Sequence, residues 1–113
     1  MKTNDETMSL FELNESYTEI LKLDRMLTEA KIPHALVRLM DGWQVIYPDV
    51  GIYDSVADAV ENAGSYGHEK NLLEIMGLLT DEEARFNSVK GWLTAEDVFE
   101  RIEKHYKQYG EKV

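Results

Sequence analysis

Apolar residues recur along this chain at two spacings. Leu10, Leu13, Tyr17, Ile20, Leu23, Leu27 and Ala30 fall three or four apart, which sets them on one stripe of a helix. Ser9 and Glu12 stand three apart at its start and fit a capping box. The pattern predicts a long helix from residue 9 to about residue 30. Asp24 falls inside the stripe. Buried there it needs a partner, for which Arg38 is the candidate; turned to solvent it needs none. Pro33 stops the helix, because the residue before a proline avoids helical dihedrals.

After Pro33 the spacing changes. Two runs rich in β-branched, aromatic and aliphatic residues, 34–40 and 43–47, flank Asp41-Gly42. An Asp-Gly pair in that setting signals a hairpin, because a type I′ turn needs positive φ at both central residues. The first run carries few charges on either face and predicts a central strand. Residues 49–63 fit two patterns: a helix capped by Asp54 or Ser55, or a strand with Val56, Asp58 and Val60 pointing one way. Gly64 to Gly67 mark a loop, and residues 72–78 read as a strand. Thr80 with Glu83 and Thr94 with Asp97 are two further capping boxes, separated by a brief extended piece at 88–93. The last helix carries Ala95, Val98, Phe99, Ile102, Tyr106 and Tyr109 on one stripe, with acids ahead of bases as the helix dipole favours. The fold class is α+β: a long N-terminal helix, an antiparallel sheet of three or four strands with an Asp-Gly hairpin, and a C-terminal helix, both helices on one sheet face.

With 113 residues, the chain fits a polar, mobile tail (1–8) followed by a single domain (9–110). It contains no cysteine, which excludes disulfides, thiolate metal sites and cysteine nucleophiles and suits a reducing cytosol. No apolar run approaches the ~20 residues of a membrane span, and residues 1–9 lack the apolar stretch of a secretory signal. Twenty-two acidic residues against twelve basic ones give a net charge of −10. That balance disfavours direct binding to nucleic acid or to anionic lipid, since both need clustered Lys and Arg. It serves solubility, or it offers an acidic face to a basic partner. Glu96, Asp97, Glu100 and Glu103 on the last helix are the candidates for such a face.

Candidate chemistry is sparse. His34, His68 and His105 lack metal-spaced neighbours, so no metal or cofactor is expected. Asp49, Asp54 and Asp58 with Gly51 lack the ligand alternation and terminal glutamate of a calcium loop. No nucleophile elbow or phosphate loop is present. Tyr66 and His68 lie in the glycine-flanked stretch GSYGHEKN and form a candidate ligand loop, with Glu69 as the candidate acid–base partner of His68. The plainer reading is a solvated hairpin connection. Trp43 and Trp92 each follow a glycine and are expected in the core.

The order SYG at 65–67, LLEIMGLL at 72–79, a short acidic insert, then GWLTAEDVFERIEKHY at 91–106 resembles a group of small uncharacterised proteins encoded by phages and prophages of Gram-positive bacteria. LTEAKIPH at 27–34 and DGWQVIYP at 41–48 match the same group's helix–hairpin entry, so the likeness spans roughly residues 20–109. The resemblance favours the strand over the helix at residues 55–61, paired with 72–78. It brings no activity and no catalytic residue. It implies a non-enzymatic accessory protein that binds a host or phage protein, and a homo-oligomer is compatible with it. Two alternatives stand beside it: an acidic nucleic-acid mimic that inhibits a basic host factor, and a small-molecule binder or enzyme using the Tyr66–His68 loop.

Overall fold

A computed structural model of the protein describes residues 17–49, 55–62, 65 and 72–110. Helix α1 (Thr18–Glu29) leads into strands β1 (Ala35–Leu39), β2 (Gly42–Tyr47), β3 (Ala57–Glu61) and β4 (Leu73–Met76). A short helix α2 (Asp81–Phe86), strand β5 (Val89–Leu93) and helix α3 (Ala95–Tyr109) complete the described chain. The strands form one antiparallel sheet in the order β1-β2-β3-β4-β5.

Several expectations are corrected here. The sheet has five strands rather than three or four, because the extended piece before the last helix joins the ladder as β5. The N-terminal helix is a short one of twelve residues rather than a long one. Its start is set by Tyr17, whose backbone leaves the helical region at φ −127° and ψ 46°. The Tyr17 hydroxyl donates to Asp41 at 2.8 Å, which ties this residue to the hairpin end of the sheet. The expected Ser9–Glu12 capping box lies outside the described residues. Residues 57–61 are strand, as the resemblance favoured, and pair with β4. Strand β1 is an edge strand, not a central one.

The hairpin turn also sits one residue earlier than expected. Leu39 pairs with Gly42, so Met40 and Asp41 are the central residues. Positive φ occurs at Met40 (58°) and at neither Asp41 nor Gly42. Positive φ at the first central residue alone is the requirement of a type II′ turn, not of type I′. Gly42 is needed for a different reason. A Cβ there would lie 1.9 Å from the Glu61 carbonyl oxygen.

Helices α1 and α3 pack side by side on one sheet face, α1 over β2 and β3 and α3 over β4 and β5. Ile20, Leu23 and Leu27 project from α1 into the core, and Val98 and Ile102 from α3. Full burial of such side chains stabilises by roughly 1.5–3 kcal/mol each. Strand β3 alternates as a half-covered strand should, with Ala57, Ala59 and Glu61 inward. Glu61 is thereby fully buried, and its carboxylate accepts from the backbone N–H of Ile20 in the first turn of α1. Glu19 of that turn passes the same service on, accepting from the N–H of Ala95 at the start of α3. Each carboxylate satisfies an orphan helix donor from outside the helix it caps. Asp24 pairs with His34 at 2.8 Å rather than with Arg38. Arg38 instead stacks over the Trp43 ring, 4.8 Å from its centroid.

Candidate functional site

The feature that stands apart from the fold's own packing lies between α2 and β5. Helix α2 opens with the expected capping box. Thr80 accepts from the Glu83 N–H, and Glu83 accepts from the Thr80 N–H. Arg101 of α3 then fixes the helix in place. Its guanidinium donates to both Glu83 carboxylate oxygens at 2.8 Å and to the Leu78 carbonyl at 3.0 Å. The Arg101 contact holds the Glu83 carboxyl down at about 2.

The chain returns from α2 as β5, and the ladder with β4 is irregular. Leu73 pairs with Leu93 and Ile75 with Lys90, so Glu74 alone faces two residues, Gly91 and Trp92. This is a bulge, a device that bends a strand and re-aims a side chain. Trp92 sits there at φ 63°. Positive φ in a bulky residue is strained backbone, costing on the order of 1–3 kcal/mol. Against the expectation of a core position, Trp92 is 47% exposed, since it alternates with buried Gly91 and Leu93 and so falls on the outward face. Nearby Phe86, on the last turn of α2, is 84% exposed. Between helix and strand runs a groove of about 450 Å³, with Glu82, Glu83 and Phe86 on one wall and Lys90, Gly91 and Trp92 on the other. Asp81 and Glu82 stand exposed at the head of the helix wall.

The four acidic candidates on α3 do not act as one group. Glu96, Glu100 and Glu103 share a stripe at helical spacing. Lys22 of α1 forms an ion pair with Glu96, and Lys107 lies 3.7 Å from Glu103. Asp97 faces elsewhere and closes the second expected capping box, accepting from the Thr94 N–H at 3.1 Å. Tyr66 and His68 lie outside the described residues.

A second concavity, of about 190 Å³, lies at the far end of α3 among Pro33, Tyr47, Val56, His105 and Tyr109. Tyr47 Oη and His105 Nδ1 are 2.8 Å apart, and burial pushes the Tyr47 hydroxyl pKa up. The His105 ring stands edge-on to Tyr47, and its centroid is 4.9 Å from that of Tyr109. Among the described residues, no three His, Asp or Glu side chains converge as a metal site. No helix among them is long and apolar enough to cross a membrane.

Sequence reasoning missed Phe86. Helix α2 is only six residues long, too short for an apolar stripe to show which way an aromatic points. One signal was present: Phe86 is the lone large apolar residue in the exposed stretch DEEARFN. No protein-family model, curated protein or solved structure matches the chain.

Proposed function

We propose that this chain is a non-enzymatic accessory protein, of the kind phages and prophages of Gram-positive bacteria encode, that acts in the host cytoplasm by binding another protein through the α2–β5 groove. The observation that carries this reading is Trp92. A strained backbone holds a large aromatic half in solvent, beside a second exposed aromatic and above a groove. Backbone strain of this kind clusters at binding sites and switch regions. Tryptophan in such a setting is a frequent energetic centre of protein interfaces. The net charge of −10 and the exposed Asp81 and Glu82 favour a basic partner.

The stripe Glu96, Glu100 and Glu103 supports a second reading, mimicry of a phosphate backbone. Lys22 and Lys107 take up two of its three charges, so the groove carries the first reading. One capture experiment separates them. Immobilised wild type, Trp92→Ala and a variant with Glu96, Asp97, Glu100 and Glu103 all changed to Gln are each exposed to bacterial lysate. The groove reading expects a protein retained by wild type and the Gln variant and lost from Trp92→Ala. Retention that survives Trp92→Ala overturns it, and loss from the Gln variant alone selects mimicry.

A further inference from the structure

The α2–β5 groove has the shape of a particular binding mode, and that mode rests on the groove reading. We infer that an extended, Lys- or Arg-bearing segment of the partner adds to the free edge of β5 as a sixth strand, with one apolar side chain seated between Phe86 and Trp92.

Strand β5 ends the sheet and, among the described residues, pairs only with β4. The outer edge of such a strand presents backbone N–H and C=O groups with no ladder partner, ready to template another chain. Helix α2 precedes this strand in the chain, and the groove lies open between residues of the two. A groove bounded by an edge strand and a helix is the setting in which extended peptides bind by strand addition, with main-chain hydrogen bonds supplying affinity and side-chain pockets supplying specificity. Five residues of strand span roughly 17 Å, so a partner segment of five or six residues covers β5.

The side chains say what that segment carries. Phe86 and Trp92 offer apolar surface to one residue. Glu82 lines the helix side with negative charge, with exposed Asp81 one residue before it, while the Glu83 carboxylate is already held by Arg101. A partner Lys or Arg on the helix side meets that charge. Lys90 occupies the strand itself and disfavours a cation directly opposite. A second copy of this chain is the poorer occupant, since two molecules of net charge −10 repel.

The test uses an array of synthetic decapeptides, each alternating Lys or Arg with aliphatic or aromatic residues, together with twins N-methylated at alternate backbone nitrogens. Wild type, Trp92→Ala and Phe86→Ala are titrated by fluorescence, and the amide shifts of the ¹⁵N-labelled protein are mapped. Phe86 is 84% exposed, so its variant keeps the test valid if Trp92→Ala folds poorly. The expected result is saturable binding by a subset of peptides, amide shifts concentrated in Val89–Leu93, and a loss of at least about tenfold both on N-methylation and in the folded variants. N-methylated twins that bind as well as their parents overturn strand addition and leave the groove reading standing. Binding that neither aromatic variant weakens overturns both. If no peptide binds, or if the protein dimerises through β5, strand addition falls and the lysate capture decides the groove reading alone.

Discussion

The fully buried carboxylate of Glu61 accepts a hydrogen bond from the backbone N–H of Ile20 at 3.0 Å, across forty-one residues of sequence. The Glu19 N–H is a second donor to the same group. A strand residue thus caps the first turn of a helix that shares no local sequence with it. Only one carboxylate oxygen takes the Ile20 bond. The other, Oε2, and the buried indole Nε1 of its cross-strand neighbour Trp43 have no partner among the described residues. Burial outweighs the capping donors and pushes the Glu61 pKa from 4.5 up to about 7.

The direction of the resulting pH dependence is fixed. Between about 4.5 and about 7 the folded protein holds a proton on Glu61 that the unfolded chain has lost. Stability from this group is fully present below pH 4.5 and declines as pH rises through 7. The decline amounts to at most about 3 kcal/mol. Glu61→Gln keeps a carbonyl acceptor for the Ile20 N–H and removes the titration. Urea unfolding of both proteins from about pH 4.5 to about pH 8 should show wild type losing stability relative to Glu61→Gln across that window. Parallel curves would mean that Glu61 is charged in the fold throughout.

What was legible in the sequence was local. Both capping boxes on α2 and α3 form as expected, because each depends on two residues three apart. The strands β1 to β4 follow runs of suitable residues, although the run at β3 fits a helix as well as a strand. What was not legible depended on long-range contacts. The Glu83–Arg101 pair spans eighteen residues, and the Tyr17–Asp41 bond spans twenty-four. The irregular register between β4 and β5, beside which Trp92 sits, depends on both strands and is encoded by neither alone. Glu61 was the nearest to readable. In ADAVE it falls on the same alternation as Ala57 and Ala59, so a buried acid could have been anticipated there.

The hairpin offers a test in which two substitutions act in opposite directions. Gly42 lacks positive φ but faces the Glu61 carbonyl so closely that a methyl group cannot fit without moving β3. Gly42→Ala should cost about 3 kcal/mol, at the upper end of overpacking effects. Met40 has the left-handed backbone at an exposed turn position. Met40→Gly should relieve it and gain about 0.5–1 kcal/mol. Urea midpoints of the two variants settle the turn. A tolerated Gly42→Ala would rule out the close approach to the Glu61 carbonyl, and a destabilising Met40→Gly would rule out left-handed backbone at Met40.

The strain at Trp92 can be measured apart from the packing of its ring. Trp92→Ala and Trp92→Gly delete the same side chain to within one methyl group, so the lost ring contacts cancel in their difference. In an ordinary strand, alanine is the more stable of the two by roughly 0.5–1 kcal/mol, because glycine loses more backbone entropy on folding. At φ 63° the order should reverse. Alanine there carries the penalty of the left-handed region, roughly 1–2 kcal/mol, and glycine does not. Trp92→Gly should therefore exceed Trp92→Ala in stability by about 1 kcal/mol, read from denaturant midpoints at equal slope. Both should lose the groove's binding equally, since both lack the indole. The same pair thus reports two quantities: the strain that the bulge maintains, and whether the ring it displays is what a partner engages. If alanine proves the more stable, the bulge holds Trp92 in an unstrained backbone, and its exposure no longer marks a conformation kept for function.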